Sequence, residues 1–306
     1  MKFHRFSALV VGLVVALPGQ HAMAWGDEGH EIVATIAYAR LTPVVKKKID
    51  SILAADKDKL TAPDFSSRAT WADKWRDSDR NTTRVRYNAT HKWHFVDIEI
   101  DSPDFDKACF NHPPLPAGKV ASKGPADDCV VDKIEQFTAE LRSSSTSKAE
   151  RRLALKYLLH FVGDLHQPLH GADNHHDAGG NAVLILFGNH KVSSKSLNLH
   201  HYWDTDLVLQ LGKDQKAVAD QLNNQISPQD AATWSTGTPK DWAMESFDRA
   251  KTIAYDLSGE SNRTDKNGKT VPYLDATYDN RALPVVREQL SKGGVRLAAV
   301  LNDALK

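Results

Sequence analysis

Histidine and aspartate recur at helical spacing in this chain. His160 and Asp164 stand four residues apart, as do His200 and Asp204, so each pair projects from one face of a helix. His166 and His170 bracket Pro168 immediately after the first pair. A buried carboxylate beside a buried imidazole needs a partner, and mixed nitrogen and oxygen donors are what divalent ions such as zinc take. The chain has 14 His against 2 Cys, a balance that points to imidazole-rich metal sites and away from a thiolate finger or a disulfide scaffold. Any one of these histidines alone is most simply a hydrogen-bonded core residue; the set as a whole is not.

The elements that must position them read as helices almost throughout. Ile32, Val33, Ile36, Ala37 and Leu41 form a 3.6-period stripe over 28–41, and Pro43 opens a second helix to about Ala55. Further helices are expected over 65–76, 130–142, 149–165, 200–211, 214–224 and 242–257, with a C-terminal pair split near Gly293-Gly294. The 149–165 segment is apolar on nearly every side, which marks a buried central helix, and Pro168 ends it. The run Ala182 to Phe187, turning at Gly188-Asn189, predicts a small hairpin within 181–192. No repeat or dividing linker interrupts the pattern. Residues 25–306 therefore read as one all-α domain with a small β-hairpin.

Residues 1–24 are set apart from that domain. Lys2 and Arg5 precede an apolar run from Phe6 to Leu17, too short to span a bilayer, and Ala22-Met23-Ala24 fits a signal-peptidase site. A cleaved export signal is expected, hence a periplasmic or secreted protein without a membrane anchor. Cleavage leaves 37 basic against 39 acidic residues, net −2, so no basic stripe is available to hold duplex nucleic acid. In an oxidising compartment Cys109 and Cys129 are expected to pair across a Pro- and Gly-rich loop, stabilising it by about 3 kcal/mol.

Six stretches carry a resemblance. Trp25-Gly-Asp-Glu-Gly-His30, Trp71-Ala-Asp73-Lys-Trp-Arg76, Trp93-His94-Phe95-Val-Asp97, the run from His160 through Asp164 to His170, Gly179-Gly-Asn181 and Asn198-Leu-His200-His-Tyr-Trp-Asp204 resemble, in order, the motifs of the zinc-dependent single-strand nucleases typified by the fungal S1 and P1 enzymes. The stretch Gly294 to Asn302 is similar to that family's closing helix. The resemblance implies the all-α fold shared with zinc phospholipase C, and three Zn²⁺. One of a close pair would be held by Asp73, His94, His160 and Asp164. Its neighbour would take His30, Asp164 as a bridge, and the α-amino nitrogen and carbonyl oxygen of Trp25. The third would take His170, His200 and Asp204. Arg76 would bind phosphate oxygens in the transition state, Phe95 would stack on a splayed base and Asp97 would hydrogen-bond it, with Gly179 and Asn181 completing that pocket.

Three Zn²⁺ against three ligand carboxylates would leave a positive cleft on a net acidic protein, which supplies the charge that the sequence lacks. The expected chemistry is hydrolysis of single-stranded RNA and DNA, and of 3′-nucleotides, to 5′-phosphorylated or dephosphorylated products, with no protein partner implied. Two rivals share the ligands. A zinc phospholipase C of this fold resembles His-x-x-x-Glu where this chain has Asp204. A non-enzymatic periplasmic zinc-binding protein gives no reason for Arg76, Phe95 and Asp97.

Overall fold

A computed structural model describes residues 25–188, 197–265 and 267–306. The expected leader and the tip of the expected hairpin lie outside the described residues. Local sequence sets most helix starts: Thr42, Asp64, Asp104, Ser147, Asp214, Ser227, Thr238 and Asp275 each accept a first-turn backbone N–H. Pro43, Pro228 and Pro239 follow their caps, where the missing N–H costs nothing.

In chain order, α1 (Asp27–Arg40) and α2 (Pro43–Ala54) precede four short helices, α3 (Phe65–Arg68), α4 (Trp71–Asp77), α5 (Val85–Thr90) and α6 (Phe105–Ala108). The longer α7 (Val130–Arg142) and α8 (Lys148–Asp164) pack on one another. Next, α9 (Leu199–His201), a π-helical turn over Tyr202–Asp206 and α10 (Leu207–Leu209) run on as one helical stretch. They are followed by α11 (Gln215–Gln225), α12 (Pro228–Trp234), α13 (Pro239–Arg249) and α14 (Ala276–Ala304). The expected buried central helix is α8: every residue from Ala154 to Asp164 is buried, against α1, α4, α7 and α14.

Three expectations are corrected. The 65–76 helix is broken at Ala69-Thr70 into α3 and α4, which frees the Ala69 carbonyl to accept from His160 Nδ1 at 2.7 Å. The hairpin strand β1 (Leu184–Phe187) pairs antiparallel with β2 (Leu197–Asn198), further along the chain than the expected return, and β1 also pairs parallel with β4 (Thr270–Leu274). With β3 (Ser261–Thr264) this makes a four-stranded sheet of order β2-β1-β4-β3 in place of a lone hairpin.

The third correction is at the C-terminus, where α14 runs unbroken through Pro284 and Gly293-Gly294. The glycines serve close packing rather than a break: a Cβ on Gly294 would lie 2.4 Å from Ile36 Cγ2 and 3.2 Å from the Val33 carbonyl on α1. Gly294→Ala is therefore expected to destabilise the fold by about 1–3 kcal/mol through overpacking, read as a lower urea midpoint.

An aromatic layer supports the end of α8. Tyr157 stacks on Phe137 at 4.6 Å and meets Trp71 and Trp93 edge-on at 5.3 and 5.9 Å. Two buried lysines cover those tryptophans, Lys156 over Trp71 and Lys133 over Trp93, each 3.8 Å from the ring centroid. Lys133 is neutralised by the buried Asp128 at 2.6 Å, and Lys156 by Asp56 at 3.1 Å. Cys109 and Cys129 form the expected disulfide.

Candidate metal centre and its cavity

Segments far apart in sequence bring their donors to the C-terminal end of α8. Residues 96–100 run beside 170–173, with Val96 donating to the His170 carbonyl, Asp173 to Ile98 and Ile100 to Asp173. That pairing sets His94 against His170, whose Nδ1 donates to the His94 carbonyl at 2.8 Å. At the other side, Gly26 N donates to the Asp204 carbonyl at 2.9 Å and so ties the start of α1 to the third group of donors. Gly163 makes room on α8 for His30, because a Cβ there would lie 2.8 Å from His30 Nδ1.

Asp73, His94, His160 and Asp164 converge. His94 Nδ1 lies 3.0 Å from Asp164 Oδ2, 3.1 Å from His160 Nε2 and 3.4 Å from Asp73 Oδ1. His160 Nε2 lies 3.2 Å from Asp164 Oδ2 and 3.5 Å from Asp73 Oδ1. Ligands about 2.0–2.1 Å from a tetrahedral zinc stand about 3.3 Å apart, the spacing found here. The second Asp164 oxygen, Oδ1, faces His30 Nε2 at 3.2 Å. The two Asp164 oxygens thus face different histidines, Oδ1 facing His30 and Oδ2 facing His94 and His160, while His30 also groups with Asp73 and His160.

The third group is His170, His200 and Asp204. His170 Nδ1 and His200 Nδ1 donate to the carbonyls of His94 and Gly179, which leaves each Nε2 as an acceptor. Those two Nε2 atoms face each other at 3.1 Å, and Asp204 Oδ2 lies 3.3 Å from His200 Nε2. Two lone pairs in contact repel; a cation between them turns the repulsion into ligation. Asp164 Oδ1, Asp204 Oδ2 and both nitrogens of His30 are buried without a hydrogen bond, a costly state that a bound cation relieves. The donor set fits zinc on chemistry, spacing and orphaned atoms alike.

A cavity of about 380 Å³ opens over these donors, lined by Arg76, Arg80, Tyr87 and His91, by His94, Phe95 and Asp97, by Leu169, His170, Ala178 and Asn181, and by His200. Arg76 is held rigidly: Asp77 grips it with two 2.9 Å bonds and Asp73 lies 2.6 Å from Nη1. Trp25 is fully buried at the start of the described chain. Gly179 is buried too, at φ +63°, and its carbonyl accepts from His200 Nδ1 at 2.6 Å.

Asp97 is half-buried, and burial together with the Asp173 and Asp177 carboxylates pushes its carboxyl up to about 8. A raised folded-state value means that the native protein binds the extra proton between the ordinary value near 4 and about 8, so stability falls as pH rises through that window. Asp97→Asn, which cannot ionise, is expected to gain about 1–2 kcal/mol relative to wild type between pH 5 and pH 9, allowing for solvent at the carboxyl. Urea midpoints at the two pH values check the sign.

His166, marked in the sequence by its place before Pro168, is buried between the Val162 carbonyl and Arg296, which in turn reaches Glu245. Sequence reasoning missed Gln167, which donates to Asp204 Oδ1 at 2.6 Å, and Arg80, Tyr87 and His91. Of these only Gln167, inside the His160 to His170 run, carried a visible signal.

A helical fold with such a donor cluster at the end of a buried helix matches one group of hydrolases. The S1/P1 Nuclease family model matches residues 25–306. Relatives include Endonuclease 2 of Arabidopsis thaliana, 28% identical over 96% of this chain and 94% of that protein. Nuclease S1 of Aspergillus oryzae is 29% identical over 92% of both chains, and Nuclease P1 of Penicillium citrinum is 28% identical over 91% of this chain and 97% of its own. The chain belongs to the S1/P1 nuclease family and has its phospholipase C-like all-α fold.

Proposed function

We propose that residues 25–306 form a single exported, trinuclear-zinc phosphodiesterase that hydrolyses single-stranded RNA and DNA to 5′-phosphorylated nucleotides and also removes 3′-phosphates. The observation that carries this reading is Asp164, whose Oδ1 faces His30 and whose Oδ2 faces His94 and His160, with the facing Nε2 atoms of His170 and His200 beyond them. Asp73, His94, His160 and Asp164 would hold one ion, His30, Asp164 and the terminal amine and carbonyl of Trp25 a second, and His170, His200 and Asp204 a third. Bound zinc supplies Lewis acidity toward phosphate and a nucleophile available near neutral pH.

The chain's own groups do the rest. Arg76, fixed by Asp77, presents a permanent charge to phosphate oxygens and gains most as their charge grows. Phe95 offers its ring to an unpaired base and Asp97 its carboxyl to the base edge, with Asn181 on the same cavity wall. A stacked duplex base reaches neither, which accounts for single-strand preference. Export follows from the sequence of residues 1–24, and no helix of the described chain is long and apolar enough to cross a membrane.

The test digests single- and double-stranded DNA and RNA, a 3′-mononucleotide and phosphatidylcholine in parallel, with and without chelator. Chelator-sensitive cleavage of single strands is expected. Release of phosphocholine without nuclease activity would favour the phospholipase, and no turnover on any of them the binding protein.

A further inference from the structure

The cavity holds residues that the proposed chemistry leaves unused. Arg80, Tyr87 and His91 line it, and Arg84 lies against Tyr87. Their backbone is firmly built: the Asp79 carboxylate accepts from Arg86 N at 2.9 Å, Tyr87 N at 3.2 Å and Thr83 Oγ1 at 2.9 Å, while its carbonyl accepts from Thr82 N and Arg84 N. Arg84 itself sits at φ +55°, a left-handed conformation that a non-glycine residue adopts at a cost.

That backbone places two guanidinium groups over one ring. Arg80 Cζ and Arg84 Cζ each lie 4.9 Å from the centroid of Tyr87, which also stacks on His91 at 5.0 Å and 8°. Stacking on an aromatic face fixes a guanidinium while leaving its N–H edge open. The contrast with other arginines is sharp: Arg68, Arg76, Arg281 and Arg296 spend their donors on carboxylates and carbonyls. Among the described residues Arg80 has only a 3.8 Å approach to Asp77, and the Arg84 side chain has no hydrogen-bond or ion-pair partner. Two guanidinium groups seated on one ring beside the cavity, with N–H edges open, are matched to an anion with several oxygens.

We propose that Arg80 and Arg84, seated on Tyr87, form a second phosphate subsite that takes the phosphodiester adjoining the one cleaved, so that the enzyme favours a strand over a 3′-mononucleotide. This rests on the phosphodiesterase reading above. A mononucleotide has one phosphate and cannot fill both places; a trinucleoside diphosphate can.

The experiment uses the metal-loaded enzyme as wild type, Arg80→Gln with Arg84→Gln, and Tyr87→Leu, each checked for unchanged circular dichroism. The kcat/KM ratio of d(TpTpT) to thymidine 3′-monophosphate is expected to fall about tenfold in the double variant, from loss of charge-assisted contacts. Tyr87→Leu keeps both charges but loses their seat, and should lose part of the same ratio. Binding of an uncleavable phosphorothioate oligonucleotide should weaken, with a salt slope shallower by about 0.7 per lost contact. An unchanged ratio with an unchanged salt slope overturns the subsite. Wild type that cleaves neither substrate overturns the phosphodiesterase reading instead, and the oligonucleotide binding arm still decides the subsite.

Discussion

Removing the metal is expected to cost the protein its activity and much of its stability together. Without cations, Asp164 Oδ1 and Asp204 Oδ2 are buried with no hydrogen bond, and the bare Nε2 atoms of His170 and His200 face each other at 3.1 Å. Breaking such a buried arrangement costs several kcal/mol, and each tightly held ion adds about 4 kcal/mol at a thousandfold excess over its dissociation constant. Chelation should therefore lower the melting temperature by about 10 °C or more, and abolish hydrolysis, with Zn²⁺ restoring both. Asp164→Ala should lose more than one zinc per chain, because its two oxygens face different histidines, His30 and His94. Asp97→Ala, removed from those donors, should keep its full metal content. Equal melting curves with and without chelator, by scanning calorimetry, would refute the metal-centred reading.

The second large effect is expected at the N-terminus. While residue 24 is attached, the Trp25 nitrogen is an amide whose lone pair is delocalised and cannot coordinate; a free amine can, once deprotonated. The surroundings favour such a role: Trp25 is fully buried, Gly29 lies against its Cβ, and Gly26 is tied to Asp204. Protein carrying one extra residue ahead of Trp25 should hold about one zinc fewer and lose most of its turnover. Paired preparations, one processed to a free Trp25 amine and one with an uncleavable extension, are compared for zinc by elemental analysis and for rate on single-stranded DNA. Equal zinc and equal rates would remove the terminal amine from the donor set.

His160 with Asp164, and His200 with Asp204, were legible as candidate donors because residues at i, i+4 share a helix face wherever the helix packs, whereas Trp25, His30, Asp73 and His94 entered only through the family resemblance. The Cys109–Cys129 bridge was legible from the expected export and from two cysteines flanking one Pro- and Gly-rich loop. What pattern could not reveal was longer in range. The break at Ala69-Thr70 answers to His160, some ninety residues on, and nothing in the 65–76 periodicity registers that demand. Gly293-Gly294 reads as a helix breaker until Ile36 is placed against it. The parallel pairing of β1 with β4 joins segments that no turn signal links, and the β3–β4 hairpin went unread altogether. Gly179 was readable as special, but the carbonyl it offers His200 was not.

The packing of α1 sets an order of events during synthesis. Although it is the first helix of the described residues, its apolar stripe is covered chiefly by α14 and α11, and the residue before it is pinned to Asp204. Until the last thirty residues have been added, α1 lacks its largest packing partner and can meet chiefly α3, α8 and α11. A chain that ends before α14 is therefore expected to leave part of that apolar stripe bare, and to be cut at its leading end by proteases faster than the full chain.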